Sequence, residues 1–201
     1  MKTNYTVKIF IICAVACFAA LMNNCNTPAE KEKATENAGD VMNTSSDVER
    51  GRYLVTFGGC DDCHSPKIMT AQGPVVDSTR RLSGHPADAA LPEINQSALS
   101  HWYLAGQDLT SWVGPWGVSF PANLTPDTAT GTGVWTPELF IKIMRTGKHM
   151  GSDSGRPILP PMPWWSIGQL TDEDLTAVLA YLHTLPAVSN KVPDPIPPAA
   201  N

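Results

Sequence analysis

Cys60 and Cys63, separated by Asp61 and Asp62 and followed directly by His64, form a Cys-x-x-Cys-His stretch. Two thiols three residues apart fall on neighbouring positions of one helical turn, so both sulfurs can reach the two vinyl groups of a single porphyrin. The histidine then swings beneath the centre of the same macrocycle, where its imidazole is an axial ligand for iron. The spacing therefore predicts covalent attachment of one haem c. Other chemistries fit less well. A structural zinc site needs two more ligands at similar spacing, and the remaining cysteines, Cys13, Cys17 and Cys25, lie in or beside an apolar N-terminal stretch. A thioredoxin-like pair belongs at the end of a strand, whereas the residues before Cys60 read as a capped helix. A bare disulfide leaves His64 without a role.

An iron held by His64 has a sixth position, and what fills it decides the chemistry. Of seven methionines, only Met162 is framed by prolines on both sides, in Leu159-Pro160-Pro161-Met162-Pro163-Trp164-Trp165. Such a frame restricts the backbone and lowers the entropy lost in holding a thioether at one point. Met162 is the expected second axial ligand, which requires it to face His64 across one cleft. His85, His101, His149 and His183 show no ligand-like spacing and read as surface or hydrogen-bonded histidines. No Ser-His-Asp arrangement, phosphate-binding loop or carboxylate pair stands out.

Three helices must position these groups. Ser46-Asp47-Val48-Glu49 reads as a capping box that opens a helix running to about Phe57, with Gly51 on its packing face opposite Tyr181. Gly58-Gly59 reads either as that helix's C-cap or as close packing on the cofactor. Thr136-Pro137-Glu138 caps a second helix, stapled by Trp135 and Phe140 and ended by Gly147, with Leu139, Phe140, Ile143 and Met144 as its apolar stripe. Thr171-Asp172-Glu173-Asp174 opens the last, whose stripe is Leu175, Val178, Leu179 and Leu182 and which Pro186 stops. Between Pro66 and Trp135 no helical or strand period is sustained. That region reads as loop with one short helical piece near Glu93–Leu99, and Trp112–Phe120 alternates aromatic and glycine residues that could wall a porphyrin or simply pack in the core.

Residues 1–24 carry Lys2 and Lys8, an apolar run from Ile9 to Met22 and no acid, the pattern of a signal peptide. The run is shorter than the roughly 18 to 20 residues a spanning helix needs. Cys25 stands at its end before a polar stretch, an arrangement that resembles a bacterial lipoprotein whose first mature residue is a lipidated cysteine, with 25–45 as a flexible linker. Cys17, after Ala14-Val15-Ala16, is the rival and leaves a shorter apolar region. Export agrees with the haem motif, because c-type haem is joined to its protein outside the cytoplasm. Loss of Lys2 and Lys8 with the leader takes the formal charge from −5 to −7, a sign that disfavours a nucleic-acid partner.

The helix leading into Cys-x-x-Cys-His, the Pro-Met-Pro loop and the closing Tyr-containing helix together resemble a class I cytochrome c. The block Asn123-Leu124-Thr125-Pro126-Asp127, then Gly131-x-Gly133-x-Trp135-Thr136, is similar to that of bacterial exported cytochromes, haem-bearing partners of periplasmic dehydrogenases among them. The resemblance spans roughly residues 47–198. It implies an all-α, class I cytochrome c-like haem domain with long irregular loops over 46–186, followed by an extended proline-rich tail over 187–201. It also implies one haem c on Cys60 and Cys63 with His64 and Met162 as ligands. The expected role is electron transfer rather than catalysis, between redox partner proteins such as a dehydrogenase or oxidase, in the periplasm of a bacterium and at a membrane through the Cys25 anchor. The alternative is a haem-bearing subunit, enzyme or sensor with a displaceable sixth ligand.

Overall fold

The structure, a computed structural model, describes residues 44–198. The leader, Cys17, Cys25 and most of the linker lie outside the described residues. Among the described residues five α-helices carry the fold: α1 (Ser45–Phe57), α2 (Cys60–His64), α3 (Pro137–Thr146), α4 (Trp164–Ile167) and α5 (Asp172–Leu182). Among the described residues no helix is long and apolar enough to cross a membrane.

The all-α expectation is corrected by two small antiparallel sheets within the region read as loop. Strands β1 (Lys67–Thr70) and β2 (Gly73–Val76) form one hairpin; β3 (Leu104–Ala105), β4 (Trp112–Gly114) and β5 (Gly117–Ser119) form a three-stranded sheet in the order β3-β4-β5. The reason they escaped notice is their length. A strand of two to four residues completes at most two alternations, too few for a period of two to register. Of the helical piece near Glu93–Leu99, only a single 3-10 turn at Ala98–Ser100 is present.

Helix α1 packs across α5, and the crossing is tight because Gly51 has no side chain: a Cβ there would stand 1.9 Å from the Ala177 carbonyl oxygen and 2.8 Å from Tyr181 Cβ. Arg50 fixes the same pair of helices from the outside with a two-pronged contact to the Asp174 carboxylate at 2.7 and 3.0 Å. The core gathers Val55 of α1, Phe140, Ile143 and Met144 of α3, Leu175, Leu179 and Leu182 of α5, and Leu82. The cap of α1 sits two residues earlier than the sequence suggested. Thr44 is the N-cap and its hydroxyl accepts from the Asp47 amide, while Glu49 instead pairs with Arg52 one turn on. The caps of α3 at Thr136 and α5 at Thr171 are as expected, and Gly147 ends α3 in the left-handed conformation. Trp135 and Phe140 meet at 6.3 Å between ring centroids.

The segment after α5 is stitched to the rest. Asn190 donates to the carbonyls of Ser83 and His85 and accepts from the Ala87 amide, and Ile196 exchanges both backbone hydrogen bonds with Val118, extending the β5 edge.

Candidate functional site

Helix α1 ends at Gly58, whose amide donates to the Leu54 carbonyl, and Gly59, whose amide donates to the Thr56 carbonyl, turns the chain with a φ of 63°. The C-cap reading of the glycine pair is thus the one the backbone uses. One turn of helix, α2, then presents the Cys-x-x-Cys-His residues. Its C-terminal end is held by Lys67, whose ammonium donates to the carbonyls of Asp61, Asp62 and Ser65. Its flank is held by Arg81, which reaches the Asp61 carboxylate at 2.5 Å and the Tyr181 hydroxyl at 2.8 Å, tying α2 to α5. Ser65 completes the bracket by donating to Asp61 and accepting from the Leu82 amide.

His64 is buried, and its Nδ1 lies 2.8 Å from the carbonyl oxygen of Ala122. A carbonyl only accepts, so Nδ1 carries the proton and Nε2 keeps its lone pair. Burial pushes the imidazole's pKa down against the opposing pull of that carbonyl, so the ring is neutral near pH 7. A neutral, orientation-fixed imidazole with a bare Nε2 is the form that ligates a metal.

Cys60 and Cys63 are not joined to each other. Burial, and after it the charge of Asp61, raises the Cys60 thiol to about 11, and burial raises Cys63 as well. Both are therefore protonated near neutral pH, unlike the thiolates of a zinc site or the acidic thiol of a redox pair. Among the described residues, no three His, Cys, Asp or Glu gather as a metal cluster. This donor set, two neutral thiols on one turn beside a neutral imidazole, fits a porphyrin that brings its own four nitrogens.

Met162 is half-buried, packs against the hydrophobic core, and lies between Ile158, whose amide donates to Gly147, and Pro163, the N-cap of α4. Pro160, Pro161 and Pro163 have no amide hydrogen to offer. The loop is held instead through Pro160, whose carbonyl accepts from the Ser119 hydroxyl at 2.5 Å. Ser119 and Ala122 are three residues apart, no more than about 11 Å of extended chain. The support of the methionine loop and the support of His64 thus come from one short stretch.

That stretch is positioned by the Asn123–Trp135 block. Asn123 accepts from the Thr125 amide and donates to the Val188 carbonyl; Asp127 accepts from the Ala129 and Thr130 amides. Gly131 lies where a Cβ would meet the Thr125 carbonyl oxygen at 2.1 Å. Of the spare histidines, His85 is buried against the Phe120 ring, with Nδ1 on the Thr110 hydroxyl, and His183 donates from Nε2 to the Thr132 carbonyl; His101 and His149 are exposed. Sequence reasoning did not find Arg81, Ser119 or the Ala122 carbonyl, since none stands at a recognisable spacing from the groups it holds.

Comparison with known proteins agrees with this chemistry. The chain is 28% identical over 74% of its length to the gluconate 2-dehydrogenase cytochrome c subunit of Pantoea cypripedii, covering 24% of that protein. It is 27% identical over 73% of its length to the cytochrome c subunit of the quinone-dependent alcohol dehydrogenase of Gluconobacter oxydans, again covering 24%. With the fructose dehydrogenase cytochrome subunit of Gluconobacter japonicus it shares 34% identity over 68% of its length and covers 21%. The chain thus spans between a fifth and a quarter of the length of these relatives. The cytochrome c family profile matches residues 48–186, well over half of the chain. Given that match around a Cys-x-x-Cys-His turn, the chain belongs to the cytochrome c family, an electron-transfer protein whose cofactor is covalently bound haem c.

Proposed function

We propose that one haem c is joined by thioethers to Cys60 and Cys63 and ligated by His64 and Met162, and that the domain relays single electrons from a dehydrogenase to a downstream acceptor outside the cytoplasm. The observation that carries the reading is the His64 Nδ1 hydrogen bond to Ala122, which leaves Nε2 as a ligand of fixed direction. The bound haem supplies a reversible one-electron change at iron. Cys60 and Cys63 would hold the group covalently, and His64 would offer Nε2 to its iron. Met162, in a loop stiffened by three prolines, supplies a thioether on the other side, and such a ligand favours the reduced form relative to a second histidine. With both axial positions taken by side chains, the protein passes electrons and leaves substrate chemistry to its partner.

The dehydrogenase partner is supported by the relatives, which are cytochrome subunits of gluconate, alcohol and fructose dehydrogenases. Export and membrane attachment through Cys25 are supported by the charged and apolar leader ahead of that residue and the polar linker after it. Absorption of protein matured in a haem-attaching host tests the ligand set. A narrow reduced α-band with a weak thioether-to-iron band in the oxidised form is expected, and Met162→Ala should abolish the latter. Wild-type protein that carries haem but never shows the thioether band would replace this reading with a displaceable or different sixth ligand.

A further inference from the structure

Two of the four residues 159–162 are prolines without a backbone donor, and among the described residues the Ser119 hydroxyl makes the one hydrogen bond that reaches the segment. Ser119 is itself buried and doubly placed. Its hydroxyl accepts from the Trp116 indole N–H at 3.2 Å and donates its single proton to the Pro160 carbonyl, so the two bonds run in one direction and polarise each other. The hairpin that carries it cannot slide: Ser119 pairs with Trp112 on one side, and its neighbour Val118 is bonded through both backbone groups to Ile196 on the other. Gly117 admits that last contact, since a Cβ there would lie 2.0 Å from the Ile196 carbonyl oxygen. Ile196 in turn follows Asn190, which is pinned to Ser83 and His85.

We propose that Ser119 is the positioning residue for the axial methionine: through Pro160 it holds the Met162 loop in place and sets how easily an outside ligand displaces the thioether. This rests on Met162 being the sixth ligand. The hydroxyl touches neither the thioether nor the cofactor; it acts on the loop's freedom. An outside ligand at the sixth position would displace the Met162 thioether, and on this proposal the loop would then shift away from Ser119. The hydrogen bond would be lost with that shift, so removing the hydroxyl should make displacement easier while Met162 remains the resting ligand.

The test is imidazole titration of the oxidised holoprotein, followed by loss of the thioether-to-iron band. Ser119→Ala should raise the apparent affinity for imidazole about fivefold, the effect of one ordinary hydrogen bond. Ser119→Thr, which keeps the hydroxyl, should restore the wild-type value, and Trp116→Phe, which removes the donor to Ser119, should shift affinity in the same direction by a smaller factor. Should Ser119→Ala fail to fold, the Trp116→Phe arm still decides. Unchanged imidazole affinity in Ser119→Ala or Trp116→Phe protein whose thioether band is intact overturns the role of Ser119 and leaves the methionine ligand standing. A wild-type protein with no thioether band, unaltered by Met162→Ala, overturns the ligand assignment and this proposal with it.

Discussion

Gly51 and Ala177 touch backbone to backbone: a methyl group on Gly51 would overlap the Ala177 carbonyl carbon at 2.6 Å and its oxygen at 1.9 Å. Neither atom belongs to a flexible side chain that could turn aside, so α1 and α5 would have to separate. Gly51→Ala is expected to destabilise the fold by about 3 kcal/mol or more, measured as a lowered urea midpoint of the holoprotein. A midpoint equal to wild type would show that the two helices cross more loosely than the structure has them.

Asp77 caps the 3-10 turn at Ser78–Arg80, and hydrogen bonds from Thr79 and then Arg80 hold its carboxyl at about 2 against an ordinary 3.8. A carboxyl depressed in the folded state contributes stability that is present in full above its unfolded value and is lost as pH falls through the folded one. Urea midpoints of the wild type should therefore drop between about pH 4 and pH 2 more steeply than those of Asp77→Asn. Parallel curves for the two proteins would remove Asp77 from the acid response.

Replacing Cys60 and Cys63 together by Ala should leave haem that acid-acetone extracts, because no thioether remains. Either single replacement should weaken covalent retention. Haem that stays with the double variant through extraction would refute attachment at this motif.

If Cys25 is lipidated, the mature protein should partition with detergent and the membrane fraction, and Cys25→Ala should release it or leave the leader uncut. Diacylglycerol with an amide-linked chain supplies the two or more acyl groups that stable anchoring needs. Partitioning unaffected by Cys25→Ala would move the anchor to Cys17 or to a retained leader.

Helices α3 and α5 were legible because local rules coincide there: a threonine cap, an acidic first turn, a stripe at helical spacing and a glycine or proline stop all name the same boundaries. At α1 the competing caps Thr44 and Ser46 are both hydroxyl residues ahead of an acid three positions on, and the sequence offers no way to rank them. The attachment turn was legible because its chemistry is local, three side chains within five residues. The supports of His64 and Met162 were not, because Ala122 contributes only a backbone carbonyl, which every residue has, and Ser119 meets Pro160 across 41 positions of chain. Arg81 joins Asp61 and Tyr181 from 20 and 100 positions away. Contacts of that kind are set by how the chain returns on itself.

The ties made by Asn190 and Ile196 also give a segment without helix a hold on the site. Ile196 is bonded to Val118, the neighbour of Ser119 and four residues ahead of Ala122, so the segment after α5 braces the stretch that holds His64 and the Met162 loop. A change in the segment after α5 should therefore be felt at His64 and at the Met162 loop, although it hydrogen-bonds to neither.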